Sequence, residues 1–410
     1  MGYFAKRLLV SSLLSACLCS PALAADKTPI VFAAAIIESG PFQVADTQNL
    51  AGIEFAIKQL NAADGIDGHP IKLDVIDTEL NAAITKRKMT DEVLSHHAKI
   101  IIGAAGSDIL KALIAVGQKY HVPVLAYAGE ASDLTGKDFQ PALFRVSANT
   151  SMHGAAVVYG VSKVYPDTQK VFLLNEDYSY GYEVDAGLKA ALHKFLPQVK
   201  IVGDVFHPRG IADFSPYLQQ IQASGASIVL TGDWGSDAVK LLNQAGTFGL
   251  KAHFAGLFLI NPEILKAVDS DSVIGDIGAD IFLAPPDTPE AQSFAKSFHA
   301  AYAQTQTPYA TSDVAKSYIS TMLAAEGLIK SGNTNFNNFE QALEGYQTES
   351  IAGPLLVRAC DHQVQVAEVY GVVGPASNTV YHFPYITQTG NVPLDAIEVP
   401  PGQTGNPRCQ

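Results

Sequence analysis

The hydrophobic positions of this chain follow two alternating patterns. Short runs of consecutive valine, isoleucine and leucine alternate with longer segments in which apolar residues recur every three or four positions. Leu50, Ile53, Ile57 and Leu60 show the second pattern most clearly, as a helix with one buried face does. The apolar runs predict strands at Ile30–Ile37, Ile71–Ile76, Ile100–Gly103, Val122–Tyr127, Val171–Asn175, Ile201–Phe206, Ile228–Thr231 and His253–Leu257.

Strands that alternate with helices of this length predict βαβ units and parallel sheets. Apolar residues at consecutive strand positions are typical of a sheet that helices cover on both faces. The alternation restarts after Phe144-Arg145-Val146, with about four strands on each side and a polar connector from Ser147 to Met152. We therefore predict an α/β protein made of two doubly wound lobes.

The last third of the chain departs from this alternation. Its predicted elements are a strand at Asp276–Leu283, the pair Pro285-Pro286, helices at 289–305 and 312–331, and β-like segments at Leu355–Arg358 and Val364–Val372. Residues 376–410 are rich in Pro, Gly, Asn and Thr and lack helical periodicity. We predict that they form an extended C-terminal tail.

The first 25 residues are typical of an export signal. Lys6 and Arg7 precede an apolar stretch, and Ala22-Leu23-Ala24 is a small-residue cleavage site. Leu14-Ser15-Ala16-Cys17 also resembles a lipoprotein cleavage box that would leave Cys17 acylated, so a lipid-anchored form is the alternative to a soluble one. Neither this stretch nor any later one reaches the ~18 apolar residues that a membrane span needs. We predict an exported, periplasmic protein.

Charge and cysteine content narrow the possible partners. The chain has 27 Lys and Arg against 40 Asp and Glu, which gives a net charge of −13. The charged residues of its export signal are all basic. An acidic surface without a Lys/Arg run argues against nucleic acid and anionic membrane as partners. Cys360 and Cys409 are the cysteines outside the signal, and two thiols in an oxidising compartment most simply form one disulfide.

The sequence contains no recognisable catalytic or metal-binding motif. Gly-x-Ser-x-Gly, His-Glu-x-x-His and the phosphate-binding Gly-x-x-x-x-Gly-Lys are all missing, and His96-His97 lies in a polar helical stretch. We predict a binding protein without cofactor or metal rather than an enzyme.

One turn indicates where a ligand would bind. The segment Ser39-Gly40-Pro41-Phe42 ends the first strand and opens a helix, and open α/β sheets bind ligands at such turns.

A set of segments carries a family resemblance over roughly residues 28–375. In chain order they are Ser39-Gly40-Pro41, Leu50 to Ile57, Gly65 to Ile71, Ile101-Ile102-Gly103, Tyr180-Gly181 and Gly246 to Lys251. Together they resemble the type I periplasmic solute-binding proteins, the branched-chain amino-acid-binding family of ABC importers. The resemblance implies a small-molecule ligand, an ABC permease with its ATPase as partners, and a monomer. An exported sensor that docks on a membrane kinase is the alternative.

The same resemblance implies two lobes joined by three crossings, with the ligand between them. Crossings are expected near Val146–Thr150, Asp276 and Gly353. The implied domains are a signal peptide at 1–25, lobe 1 at 26–147 and 277–352, lobe 2 at 148–276 and 353–375, and a tail at 376–410. Ligand contacts to both lobes would favour a closed cleft.

Two residues fall where amino-acid-binding members hold the substrate carboxylate with a Ser and a Thr. Ser107 matches the Ser, and it either contacts ligand or only caps the helix Ile109–Lys119. Glu130, within Tyr127-Ala128-Gly129-Glu130-Ala131, replaces the Thr and would repel a carboxylate. Facing the cleft, Glu130 favours a ligand with an amine or hydroxyl donor; the alternative is a solvated loop residue.

Aromatic residues complete the implied pocket. Tyr180 and Trp234 match cleft aromatics of the second lobe, and Phe258 falls near the acid that binds the substrate ammonium. Glu130 and Phe258 therefore argue against a simple α-amino acid as the ligand. The predicted ligand-binding residues are Phe42, Ser107, Tyr127, Gly129, Glu130, Tyr180, Trp234 and Phe258.

The role of one segment late in the chain remains open between ligand contact and structure. Arg358-Ala359-Cys360-Asp361-His362-Gln363 resembles a segment of a subgroup of this family that includes binders of aromatic acids. Because it lies near the expected third crossing, we favour a structural role over ligand contact.

Overall fold

A computed structural model describes residues 27–269, 271–283, 287–305, 308–379 and 381–410. The predicted export signal, Cys17 and Pro285-Pro286 lie outside these residues. Among the described helices, none is long and apolar enough to cross a membrane.

The strands and helices alternate along most of the chain. The strands are β1 (Ile30–Ile36), β2 (Ile71–Asp77), β3 (Ile100–Gly103), β4 (Val124–Ala126), β5 (Leu143–Arg145), β6 (Lys170–Glu176), β7 (Lys200–His207), β8 (Ile228–Thr231), β9 (His253–Gly256), β10 (Ile277–Asp280), β11 (Gln347–Ser350), β12 (Gly353–Val357), β13 (Val364–Gln365), β14 (Glu368–Gly374) and β15 (Tyr385–Val392). The helices are α1 (Thr47–Ala62), α2 (Ala82–Leu94), α3 (Ser107–Tyr120), α4 (Thr150–Val164), α5 (Ser179–Phe195), α6 (Ser215–Ser224), α7 (Gly235–Phe248), α8 (Pro262–Lys266), α9 (Pro289–Tyr302), α10 (Ser312–Ser331), α11 (Phe336–Leu343) and α12 (Leu394–Ile397).

The first lobe is built on a parallel sheet in the order β2-β1-β3-β4-β5. Successive residues of β1 enter opposite cores: Phe32, Ala34 and Ile36 pack with α1 and α10, whereas Ala33 and Ala35 pack with α3. A strand buried on both sides must be apolar at every position, which is why β1 reads as a continuous apolar run.

The second lobe is built on a sheet in the order β15-β14-β10-β9-β8-β6-β7. Strands β6 to β10 are parallel to one another, and β14 and β15 extend the sheet as antiparallel strands. Helices α4 and α5 cover one face, and α6, α7 and α8 cover the other. The predicted α/β class with two doubly wound lobes is confirmed.

The described chain passes between the lobes at places that differ in part from the expected crossings. It first leaves lobe 1 between β5 and α4. Because β10 pairs with β9 in the second sheet, the return to lobe 1 follows Asp280 instead of preceding residue 277. In the segment 353–365, β12 pairs with β11, β13 pairs with β12, and both pack on the core of lobe 1. The third passage therefore lies at 366–367 rather than near Gly353. An apolar strand has the same pattern in either lobe, so its sheet partner cannot be read from sequence.

The C-terminal segment is more ordered than the predicted extended tail. Residues 385–392 form β15, which pairs with β14, and α12 packs against α4. Most of β15 is polar because it is an edge strand, and this hid it from the apolar pattern. The chain then returns to lobe 1, where Asn406 donates from Nδ2 to the carbonyl oxygens of Thr135 and Cys360.

The predicted disulfide is confirmed. Cys360 and Cys409 are bonded, with their Cα atoms 5.1 Å apart and a sequence separation of 49 residues. Since residues 385–397 belong to lobe 2 and Cys409 is held on lobe 1, the last segment forms an additional link between the lobes.

Replacing both cysteines by serine is expected to lower the free energy of unfolding by about 2–4 kcal/mol, since the bond closes a long loop in the unfolded chain. Urea denaturation of the oxidised protein measures this change. Dithiothreitol should shift the wild-type midpoint to that of the double variant and leave the variant unaffected. Equal midpoints for the oxidised wild type and the variant would contradict the prediction.

Candidate functional site

A pocket lies between the lobes, at the carboxyl ends of the parallel strands. The empty space between its walls is about 560 Å³, a value that includes space open to solvent. Most of its wall comes from the segments that follow β3, β4, β6, β8 and β9, as expected for ligand sites of open α/β sheets. Its lining residues are Ala45, Asn49, Ala105, Gly106, Ser107, Ala128, Gly129, Glu130, Tyr178, Tyr180, Trp234, Gly235, Phe258, Asn261, Ile264 and Asp313.

Six of the eight predicted ligand-binding residues come together in this lining. Phe42 and Tyr127 do not. The Phe42 ring packs against Trp234 with the ring centroids 4.8 Å apart. The Tyr127 hydroxyl is buried and lies within hydrogen-bond distance of the Ala35 carbonyl, at 3.0 Å, and of Asp46 Oδ1, at 2.9 Å. Phe42 therefore supports the wall from behind Trp234, whereas Tyr127 belongs to the core of lobe 1.

Ser107 is the first residue of α3, and Gly106 is the cap, with φ of +87°. The alternative of Ser107 as a simple N-cap is therefore wrong. Its Oγ instead accepts the backbone N–H of Ala131 at 3.1 Å, which joins the segments after β3 and β4. The hydroxyl hydrogen of Ser107 remains available as a donor toward the pocket.

Glu130 is 2% exposed, so the alternative of a solvated loop residue is wrong. Its Oε2 lies 2.8 Å from Nδ1 of His153, which belongs to α4 of the other lobe, and Nε2 of His153 lies 2.7 Å from the Ala279 carbonyl. Burial alone would lower the pKa of His153, but Glu130 and neighbouring carboxylates raise it to about 10. With an acceptor at each nitrogen, His153 is an imidazolium that bridges the lobes.

Arg145 is fully buried and holds the loop that carries Glu130. Its guanidinium donates to the carbonyls of Gly129 at 3.0 Å and Ala131 at 2.7 Å. It also donates to Thr135 Oγ1 at 2.5 Å and to Gln363 Oε1 at 2.9 Å. Burial lowers the pKa of Arg145 to about 10, so it remains charged at neutral pH.

The run from Arg358 to Gln363 contributes no residue to the pocket lining. Arg358 pairs with Asp361 and donates to the Val399 carbonyl at 2.7 Å, while Gln363 contacts Arg145. The imidazole of His362 stacks on Phe144 with ring centroids 4.2 Å apart. These contacts support the structural role for this run.

The opposite wall is aromatic. The Tyr180 hydroxyl donates to the Gly232 carbonyl at 3.0 Å, and Trp234 Nε1 donates to Glu176 Oε2 at 2.9 Å. Because these polar atoms have partners in the protein, both rings present apolar surface to the pocket. Tyr178 and Phe258 extend this wall. The sequence did not single out Tyr178.

A second charged group borders the pocket at α10. Lys316 Nζ lies 2.8 Å from Asp280 Oδ2 and 3.2 Å from Asp313 Oδ1. Asp313 also accepts a hydrogen bond from the side chain of Asn261 in the other lobe. Burial raises the pKa of Asp313, although Lys316 opposes this effect.

Three lining residues that the sequence reasoning missed are polar: Asn49, Asn261 and Asp313. Asn49 lies on the same buried face of α1 as Ile53 and Ile57. A polar residue on an apolar helix face was the signal that could have identified it.

Further polar contacts hold the lobes together around the pocket. Arg209 lies 3.5 Å from Asp108 of lobe 1 and stacks over Tyr178. The N–H of Asp133 donates to Glu183 Oε2 of lobe 2 at 3.1 Å. The described conformation is therefore a closed one.

Two α/β lobes with a closed pocket at the carboxyl ends of their strands define a bilobal solute-binding protein. Comparison with known families identifies the chain further, since the family model described as "Periplasmic binding protein" matches residues 29–373. The chain belongs to this family, and its relatives are named as binding proteins.

Individual relatives agree with this assignment. The chain is 26% identical over 399 residues to Leu/Ile/Val-binding protein homolog 4 of Brucella melitensis, covering 92% of this chain and 93% of that protein. A leucine-, isoleucine-, valine-, threonine- and alanine-binding protein from Brucella ovis, in closed conformation, superposes with a TM-score of 0.80 at 22% identity, covering 91% and 97%. A solute-binding protein from R. palustris in complex with 4-hydroxybenzoate superposes with a TM-score of 0.78 at 17% identity, covering 89% and 98%.

Proposed function

We propose that this protein is the periplasmic substrate-binding subunit of an ABC-type importer. It captures a small organic solute between its lobes and presents the closed form to a membrane permease, whose ATPase drives transport. The observation that carries this proposal is the interlobe pocket itself, whose lining comes from both lobes and whose edges are joined by ion pairs across the cleft. A ligand that contacts both walls stabilises the closed form over the open one.

The pocket favours a solute with an apolar or aromatic body. Tyr178, Tyr180, Trp234 and Phe258 form one wall, and flat rings or branched aliphatic groups bury the most area against such a surface. The proposed solute is amino-acid-like or aromatic, in keeping with relatives named for branched-chain amino acids and neighbours solved with 4-hydroxybenzoate or benzoate. A donor on the solute is favoured at Glu130, where the amino-acid binders have Thr.

A thermal-shift screen of the exported chain without its predicted signal tests the proposal. The screen compares amino acids, aromatic acids, alcohols, amines and amides, with calorimetry on every hit. We expect one chemical class to bind with micromolar affinity, which corresponds to about 8 kcal/mol. Deleting the gene should then abolish cellular uptake of that solute. Binding of leucine or valine alone would contradict the argument from Glu130 and Phe258.

A sensor that docks on a membrane kinase is the second candidate function. It would bind the same solute in the same pocket, so the binding screen does not separate the two. An uptake measurement does separate them. Deleting a sensor would change gene expression in response to the solute, but it would leave uptake by a constitutively expressed importer unchanged.

A further inference from the structure

We propose that the solute selected by this pocket is an organic cation, an amine whose ammonium group lies against Asn49, Glu130 and Asp313. Its apolar body lies against the aromatic wall. This inference rests on the proposed function of the pocket and adds the charge of the ligand to it.

The first observation is the composition of the lining. It includes two carboxylates, Glu130 and Asp313, whereas none of the described residues that line the pocket is a lysine, arginine or histidine. A carboxylate on the ligand would meet negative charge without a lining cation to offset it.

The second observation is an unpaired acceptor on Asn49, which is 2% exposed. Its Nδ2 donates to Asp46 Oδ1 at 3.0 Å and to the Ala45 carbonyl at 3.3 Å. Its Oδ1 is buried and has no hydrogen-bond partner among the described residues. Leaving such an acceptor unpaired is costly, and a donor on the ligand would remove that cost.

The third observation is an excess of acid in the buried cluster beside the pocket. Glu130, Asp280, Asp313 and Glu368 are buried together with two cations, His153 and Lys316. Within the part of the chain that the structure describes, both carboxylate oxygens of Glu368 lack a hydrogen-bond partner, and burial raises the pKa of Glu368 to about 7. A ligand cation would offset this excess of negative charge, whereas a benzoate-like acid would add to it.

The cations of this cluster are already engaged. Both nitrogens of His153 face protein acceptors, and Lys316 lies between Asp280 and Asp313. Arg145 approaches Glu130 from behind the loop, but its guanidinium donates to carbonyl, hydroxyl and amide oxygens. Arg209 lies 3.5 Å from Asp108 and its Nη1 has no hydrogen-bond partner among the described residues, but Arg209 does not line the pocket. His153 and Lys316, which pair with the lining carboxylates, are not free to receive a ligand anion.

The aromatic wall fits the same ligand. Tyr178, Tyr180 and Trp234 bring electron-rich ring faces to one pocket, and such faces attract an organic ammonium group in addition to burying its apolar substituent.

Three probes of one shape and different charge test the inference: 2-phenylethylamine, 2-phenylethanol and phenylacetate. Calorimetry at pH 7 on the exported chain should show the amine binding at least tenfold more tightly than the alcohol, and phenylacetate not binding. Tighter binding of phenylacetate or of the alcohol would overturn the charge assignment and leave the importer proposal standing. Failure of all three probes, and of every compound in the broader screen, would overturn both.

Variants locate the ammonium site. Glu130→Gln should reduce the amine's advantage over the alcohol from tenfold to less than threefold. Asp313→Asn provides a second variant in case Glu130→Gln does not fold. Asp138→Asn, which removes an exposed carboxylate of the same lobe, is the matched control and should leave the ratio unchanged. Equal weakening of amine and alcohol by both pocket variants would show a purely structural role and overturn the inference.

Discussion

Replacing Arg145 by methionine is expected to lower the free energy of unfolding by about 3–5 kcal/mol. The guanidinium is fully buried and donates to four acceptors, two of which are the carbonyls of Gly129 and Ala131. Methionine fills much of the same volume but donates nothing, so the Gly129 carbonyl loses its hydrogen bond, while the Ala131 carbonyl keeps only the N–H of Leu134 and Gln363 Oε1 only the Thr135 hydroxyl. A buried acceptor that loses its donor costs about 1–3 kcal/mol before relaxation.

Urea denaturation followed by circular dichroism measures the Arg145 effect. Arg87→Met is the matched control, because Arg87 is an exposed arginine of the same lobe, and a change within ~0.5 kcal/mol is expected there. Arg145→Lys should lie between the two, since an ammonium keeps the charge but cannot reach all four acceptors. A loss below 1 kcal/mol for Arg145→Met would show that the loop around Glu130 does not depend on the hydrogen bonds of the Arg145 guanidinium.

The sequence predicts the position of the pocket better than its chemistry. Ser107, Glu130 and Trp234 each follow a parallel strand, and strand ends of that kind meet at one edge of a sheet. That rule does not say which way a side chain points. Phe42 and Tyr127 lie at the same edge, yet one ring packs behind Trp234 and the other lies in the core of lobe 1.

The pairing of the charged residues around the pocket could not be predicted from sequence, for a different reason. Glu130 and His153 pair across the two lobes, and Lys316 joins Asp280 from a helix 36 residues further along the chain. No local pattern links such residues, because their pairing is set by how the lobes dock. The lobe boundaries were misplaced for the same reason: an apolar strand such as β10 carries no mark of the sheet that it joins.

Replacing Trp234 by alanine is expected to weaken solute binding at least 100-fold, about 3 kcal/mol. The indole is 6% exposed in the closed form, forms part of the aromatic wall, and contacts Phe42 of the other lobe at a centroid distance of 4.8 Å. Its loss therefore removes both ligand contact area and a contact that favours closure. We expect opening of the cleft to separate Trp234 from Phe42, so the melting temperature of the free protein should change much less.

Calorimetry with the best ligand of the screen, together with thermal unfolding of the free protein, measures these two effects. Tyr182→Ala, which removes an aromatic ring that is 49% exposed on the same lobe, is the matched control and should change neither. Because Trp234 is the only tryptophan, its fluorescence in the wild type should change as ligand closes the cleft. A large loss of free-protein stability with unchanged affinity would show that Trp234 is a core residue of lobe 2 and that the aromatic wall binds nothing.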